Sequence, residues 1–164
     1  MVKNPWKNIK MIAFDFDGVF TDNSVYINQN GVESIKCSRS DWLTAKYLKD
    51  KVYLCVISSE RNDLVAFRCK KLGVDCFYGC DDKLNKLKSI ALNKKIKKSE
   101  IAFVGNDIND LECLKWVGLP IVVANYYDNM IVPRGTYTTS YIGGNGAVRE
   151  IIDRIIKEQG ICQN

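Results

Sequence analysis

Asp15 and Asp17 stand one residue apart at the end of an apolar run, Met11-Ile12-Ala13-Phe14, and Gly18 follows them at once. In an extended chain, carboxylates at that spacing share a side, and a glycine turn can then bring them into one cleft. Further along, Ser58 and Ser59 follow the run Val52 to Ile57, Lys83 follows Asp81-Asp82, and Asn106, Asp107 and Asp110 follow Ile101 to Val104. Clustered oxygen ligands after a strand suit a hard octahedral cation such as Mg²⁺ better than a thiolate-preferring metal. Taken singly, each feature has a plainer reading. The aspartate pair is a solvated strand end, Ser58 an N-cap, Lys83 one of 24 Lys and Arg residues, and the acidic loop a helix N-terminus favoured by the macrodipole. Histidine is absent, which removes Ser-His-Asp and Cys-His triads, histidine-ligated zinc and histidine general bases together. Hydrolytic chemistry here must rest on carboxylates, lysine, serine and hard metal ions.

The elements that must position these residues alternate between short β-branched runs and longer amphipathic stretches. That alternation predicts βα units around a mostly parallel sheet, an α/β fold of Rossmann-like three-layer type. Strands are expected over Lys10 to Asp15, Val52 to Ile57, Asp75 to Tyr78, Ile101 to Val104 and Ile121 to Val123. Helices are expected over Asp41 to Lys49, Arg61 to Leu72, Lys83 to Asn93, Asp110 to Trp116 and Gly146 to Lys157, with Gly73 and Gly118 as stop signals. Val25-Tyr26-Ile27, the turn Asn28-Gln29-Asn30-Gly31 and Val32 to Cys37 read as a β-hairpin inserted after the first strand. In an open α/β sheet, ligands bind beyond the carboxyl ends of the strands, where the polar residues named above collect.

Composition narrows the function classes. A length of 164 residues predicts a single domain, residues 1–164, with a real core. No apolar run approaches the ~20 residues of a membrane span, and the N-terminus lacks the apolar region of a secretory signal, so a cytoplasmic protein without membrane partners is expected. Seven cysteines with no C-x-x-C spacing predict reduced, mostly buried thiols. The net charge of +5 comes with no aromatic-interleaved basic stripe, so no nucleic-acid partner is expected. Gly143-Gly144-Asn145-Gly146 is a weak nucleotide signal, because no strand leads into it with the G-x-G-x-x-G spacing.

The segments Asp15-Phe16-Asp17-Gly18-Val19, Val56-Ile57-Ser58-Ser59, Asp81-Asp82-Lys83-Leu84 and Gly105-Asn106-Asp107-Ile108-Asn109-Asp110, in that order, resemble the four motifs of the haloacid dehalogenase superfamily. The resemblance implies a phosphatase with Asp15 as nucleophile and Asp17 as general acid and base. It implies that Ser58 binds a phosphoryl oxygen and that Lys83 neutralises charge. It also implies Mg²⁺ held by Asp15, the main-chain carbonyl of Asp17, and the loop of Asn106, Asp107 and Asp110. The physical case agrees, since a carboxylate beside a cation stays ionised while its neighbour keeps a proton. Asn106 stands where the family commonly has aspartate, so a larger share of the metal falls to Asp107 or Asp110.

Over roughly residues 9–157 the chain is most similar to the capless group containing 3-deoxy-D-manno-octulosonate 8-phosphate phosphatases and the phosphatase-like domains of acylneuraminate synthesis. The hairpin, Arg39-Ser40-Asp41, Arg68 to Gly73 and Gly143 to Glu150 carry this likeness. It implies no cap domain, a homotetramer in which the hairpins associate, and an acidic sugar phosphate as substrate. Ser58-Ser59-Glu60 stands where octulosonate phosphatases have T-G-R after the second strand, and Glu60 at the third position tilts the reading slightly toward a nine-carbon 9-phosphate, with Ser59 and Glu60 at the substrate. Arg68 and Lys71, one helical turn apart, would meet the sugar carboxylate from a neighbouring subunit, with Asp41 also at the substrate. The alternative is a catalytically weak domain serving as oligomerisation or regulatory partner of an acylneuraminate cytidylyltransferase. A phosphoacceptor signalling domain is a further rival, but it has no need of Asp17-Gly18 beside the nucleophile.

Overall fold

The structure, a computed structural model, describes residues 4–162. In chain order it runs β1 (Met11–Phe14), the hairpin β2 (Thr21–Ile27) and β3 (Glu33–Cys37), β4 (Tyr53–Ile57), α1 (Leu64–Leu72), β5 (Asp75–Phe77), α2 (Lys83–Lys94), β6 (Ile101–Gly105), α3 (Leu111–Trp116), β7 (Leu119–Val122), β8 (Tyr137–Thr138) and α4 (Ala147–Glu158). Six strands form one sheet in the order β5-β4-β1-β6-β7-β8, and every neighbouring pair is parallel. Strand order reverses at β1, which pairs Met11 with Tyr53 on one side and with Ile101 on the other. The crevice at such a reversal point opens beyond the carboxyl ends of the strands.

β1 and β6 are buried along their whole length, as strands covered on both faces must be. Alternate side chains feed two separate cores. Ile12, Phe14, Val56 and Val104 pack with Val65 of α1 and Ile151, Ile152, Ile155 and Ile156 of α4. Met11, Ala13, Cys55, Ile57 and Phe103 pack with Leu87 and Ile90 of α2 and Leu114 of α3 on the other face. This is the expected three-layer α/β arrangement. All the cysteines within the described residues are free, and Cys55, Cys69 and Cys113 are buried as core residues. No described helix is long and apolar enough to cross a membrane.

Three segments differ from expectation, each for a local reason. Asp41 to Lys49 is two 3-10 turns, Ser40–Trp42 and Ala45–Leu48, instead of one α-helix. Thr44 between them bonds Asp153 of α4 at 2.6 Å, and Arg149 reaches the Ser40 carbonyl at 3.4 Å, so tertiary ties override the helical period. Arg61 to Asp63 stay outside α1, because Glu60 Oε1 accepts from the backbone of Arg61 and Asn62 and holds a turn there. β7 begins at Leu119, earlier than Ile121, with Pro120 near the strand start where its missing N–H is tolerated. The two residues of β8 are too few to carry a pattern.

Trp42 packs into the core layer. Its ring lies edge-on to Phe14, and its indole N–H donates to the Leu72 carbonyl at 3.1 Å. It fills space between the 3-10 turns and α1 and does not line the motif cleft.

Candidate active site

Asp15 continues the β1 ladder by one bond, its N–H donating to Val104 O at 2.8 Å, which carries the side chain past the sheet edge into a pocket where it is 4% exposed. Lys83, the first residue of α2, reaches the same point. Its Nζ lies 2.7 Å from Asp15 Oδ1 and 2.8 Å from Asp110 Oδ1. Asp82 caps α2 by accepting from Asn85 N at 2.9 Å, which fixes where the helix begins and so where Lys83 points. Asp110 is fully buried, and its second oxygen accepts from the backbone of Asn106 at 2.9 Å and of Asp107 at 3.3 Å. Asp110 thus ties the β6 loop to Lys83 and has no oxygen left open. Asp107 accepts from Ile108 N at 2.7 Å and, as the cap of the 3-10 turn that follows it, from the backbone N–H of Asp110.

Two buried carboxylates share one buried ammonium, which leaves an excess of negative charge in a place where charge is costly. Burial first, and then Asp110, push the Asp15 carboxyl up to about 8 from its ordinary 3.8, against the pull of Lys83. For Lys83, burial favours the neutral amine, but Asp15 and Asp110 outweigh it and hold the ammonium charged. A divalent cation would resolve the imbalance, and the oxygens are placed for one. One end of the Asn106 carboxamide lies 3.2 Å from Asp15 Oδ2 and 2.8 Å from the Asp17 carbonyl oxygen. Adjacent oxygens around Mg²⁺ at ~2.1 Å are separated by about 3.0 Å, and both of these separations match that spacing. Among the described residues no group of three or more His, Cys, Asp or Glu side chains could hold a metal. The set depends instead on a carboxamide and a main-chain carbonyl.

The remaining motif residues face the same opening, a cleft of about 430 Å³ lined by Asp15, Asp17, Ser58, Ser59, Glu60, Arg61 and Asn109. Ser58 is 2% exposed, and its Oγ accepts from Glu60 N at 3.1 Å, which leaves the hydroxyl proton to point elsewhere. Asp17 is half-buried and receives the Thr21 hydroxyl at 3.4 Å, while Thr21 Oγ1 accepts from Gly18 N at 3.0 Å. Burial and then the nearby Glu60 carboxylate raise the Asp17 pKa, so it keeps a proton more readily than an ordinary aspartate. Gly18, at φ 78°, is required twice over, since a Cβ there would be strained and would overlap the Asn106 carboxamide.

Sequence reasoning missed three contributors. Arg61 donates from one nitrogen, Nη2, to both oxygens of Asp81 at 3.0 and 2.8 Å, and its place in the Ser58 loop was the available signal. Asn109, from the acidic loop, also lines the cleft. Gly143 and Gly144 brace the loop that carries Asp17. The Gly144 N–H donates to Val19 O at 2.9 Å, and a Cβ on Gly143 would overlap the Gly18 carbonyl.

Asp41, Arg68 and Lys71 do not line this cleft. Asp41, expected at the substrate, is 1% exposed and lies under the start of α4, facing the backbone of Gly146 and Arg149 and the Arg68 and Arg149 guanidinium groups. Neither of its oxygens meets hydrogen-bond geometry with a partner, and burial pushes its pKa up to about 6 against the pull of those backbone groups. Gly146 offers α4 no side-chain cap, and Asp41 places a carboxylate where that cap is missing. Arg68 is half-buried and donates to the Ser38 carbonyl at 3.2 Å, and Lys71 is exposed.

A family model of haloacid dehalogenase-like hydrolases matches residues 79–151. The 3-deoxy-D-manno-octulosonate 8-phosphate phosphatase of Escherichia coli K12 is 31% identical over 156 residues, covering 94% of this chain and 82% of the relative. The crystal structure of the Moraxella catarrhalis 3-deoxy-D-manno-octulosonate 8-phosphate phosphatase, in complex with magnesium, phosphate and KDO, superposes with a TM-score of 0.88 at 33% identity, covering 95% of this chain and 90% of that one. The cobalt-bound phosphatase of Haemophilus influenzae superposes with a TM-score of 0.87 at 27% identity, covering 96% and 92%. A buried Asp15–Lys83–Asp110 cluster at the reversal point of a parallel sheet, with relatives of this identity along nearly the whole chain, shows that the chain belongs to the haloacid dehalogenase-like hydrolase family, among its phosphatases.

Proposed function

We propose that the protein is a Mg²⁺-dependent phosphomonoesterase that acts on an acidic, ulosonate-type sugar phosphate through an aspartyl-phosphate on Asp15. The observation that carries the proposal is the division of labour on Asp15. One oxygen is held by Lys83 at 2.7 Å, and the other faces the Asn106 carboxamide and the cleft. A carboxylate oxygen of Asp15 attacks phosphorus, the ester P–O bond breaks, and Asp17 gives its proton to the leaving alkoxide. Asp17, now ionised, takes a proton from the water that attacks the phosphoaspartate, which frees inorganic phosphate and restores Asp15. Ser58 donates its hydroxyl to a phosphoryl oxygen, and Lys83 holds charge on the nucleophile and the transferring group. When bound, Mg²⁺ supplies neutralisation between nucleophile and phosphoryl oxygens. Asp15, the Asp17 carbonyl and Asn106 would hold it, with Asp107 nearby on the same loop and Asp110 fixing that loop.

The names of the relatives support an eight-carbon 8-phosphate as substrate. Glu60, on the cleft wall close enough to raise the Asp17 pKa, is the feature that favours the nine-carbon 9-phosphate instead. A homotetramer is part of this reading. The hairpin stands apart from the main sheet and exposes Val25, Tyr26, Ile27 and Val32, an apolar strip fit to meet its own copy. Arg68 and Lys71 reach a substrate only if a neighbouring subunit presents one to them. The test is phosphate release, with Mg²⁺, from eight- and nine-carbon ulosonate phosphates and from an aryl phosphate, assayed side by side. Release from at least one ulosonate phosphate, faster than from the aryl ester, is expected. No release from any of them by folded protein would overturn the reading and favour a non-catalytic partner of a cytidylyltransferase.

A further inference from the structure

Asn106 is the position where this site departs from the carboxylate that the acidic loop would ordinarily supply, and its surroundings show what a neutral side chain does there. The residue is 6% exposed, packed against Gly18, and its backbone N–H is fixed by Asp110. One end of its carboxamide faces two acceptors, Asp15 Oδ2 at 3.2 Å and Asp17 O at 2.8 Å. With nitrogen on that side, the amide donates to both and joins the nucleophile to the loop that carries the general acid. With oxygen on that side, the carboxamide oxygen meets the Asp17 carbonyl oxygen at 2.8 Å with no proton between them, a contact that a cation relieves. Both orientations have the same shape and fill the same space.

From this we infer that Asn106 is a two-position latch. In the metal-free protein its nitrogen points inward and holds Asp15 and the Asp17 carbonyl together, and on cation binding the carboxamide turns by half a rotation and presents its oxygen. The inference rests on the proposed Mg²⁺ site and adds to it a role that an aspartate cannot fill. A carboxylate at this position would stand against the Asp17 carbonyl oxygen in the metal-free state, and would add a further buried acid beside Asp15 and Asp110 with only Lys83 to offset them. The amide therefore gives up metal affinity and gains a metal-free site that is already assembled.

The experiment compares wild type with Asn106→Asp, each stripped of metal and then titrated with MgCl₂, by calorimetry and thermal unfolding. Asn106→Asp should bind Mg²⁺ about tenfold or more tightly, because ligand charge sets affinity. Without metal it should unfold roughly 5 °C lower than wild type, and with saturating Mg²⁺ the gap should close or reverse. In wild type itself, the Asn106 side-chain NH₂ resonances, assigned by through-bond correlation, should show slow exchange in the metal-free protein and lose that protection with Mg²⁺. The NMR arm stands even if the variant does not fold. A metal-free Asn106→Asp protein as stable as wild type, or NH₂ resonances unmoved by Mg²⁺ at saturation, would overturn the latch while leaving the phosphatase reading intact. Absence of Mg²⁺ binding by wild type would overturn both.

Discussion

The two edges of the central sheet bear charge in opposite ways. At the carboxyl-terminal edge, a cleft of about 430 Å³ opens onto a cluster in which Asp15, Lys83 and Asp110 are almost wholly buried. At the amino-terminal edge there is a larger cavity, about 660 Å³, walled by Trp42, Tyr53, Leu54 and Leu72 and ringed by Lys10, Lys46, Lys49, Lys51 and Lys94, and every one of those lysines is exposed. The larger space is not the site. Exposed lysines cost nothing to keep, and here they sit where α1 and α2 end and favour cations. Burying two carboxylates around one ammonium is costly, and a fold keeps such a cluster when chemistry depends on it.

The largest effect that would break this contrast is on turnover. Asp15→Asn keeps the shape and a contact to Lys83 but removes the nucleophile, so phosphate release should fall by about 10³-fold or more. Asp17→Asn should leave the first transfer possible and block hydrolysis, and a phosphoenzyme should then accumulate, detectable by intact-protein mass spectrometry. A fully active Asp15→Asn protein would sink the mechanism. On stability, Lys83→Met should cost about 3–5 kcal/mol, because Asp15 and Asp110 lose their shared partner while remaining buried. Denaturant unfolding at neutral pH measures it, and a change below about 1 kcal/mol would mean that the cluster is already relieved in another way.

Much of this arrangement was legible in the sequence, and for identifiable reasons. β1, β4 and β6 are continuous apolar runs that end at Asp15, Ser58 and Asn106, so the same stretches that announce buried strands also deliver the polar residues to one edge. Lys83 was legible only by position, because nothing in its neighbours distinguishes it until α2 returns it to Asp15. Asp41, expected at the substrate, lies buried and away from the motif cleft. Its burial depends on α4, more than one hundred residues later, and on the break of an expected helix into two 3-10 turns. The Gly143-Gly144 brace was invisible for the same reason, since its partner is the backbone of Gly18 to Thr21. Local pattern reveals which residues arrive at the edge, and long-range packing decides what they face.

Asp41 sharpens the comparison from another side, as a buried carboxyl with a structural task. Burial pushes its pKa up to about 6 from 3.8 despite the α4 amides and Arg68. A carboxyl that holds its proton to higher pH when folded binds more protons than the unfolded chain between those two values, so stability should fall as pH rises through that window and level off above it. Asp41→Asn carries no such titration. Relative to the variant, wild type should lose on the order of 2–3 kcal/mol between pH 4 and pH 6, measured by urea unfolding at each pH. Parallel pH profiles would show that Asp41 is ionised throughout and fully compensated by the helix.

The smallest expected effect tests the contrast most directly. If buried charge and not cavity size marks the site, then removing ammonium groups from the larger cavity should change almost nothing. Lys49 and Lys51 are exposed, and neither makes an ion pair within the described residues. Replacing both by alanine should shift stability by no more than about 0.5 kcal/mol and leave kcat and KM for the best ulosonate phosphate unchanged. Neither lysine lines the motif cleft, although α2 runs from Lys83 at one edge to Lys94 at the other. A severalfold fall in kcat in the doubly substituted protein would show that the amino-terminal edge is coupled to the chemistry, and the division drawn between the two edges would be wrong.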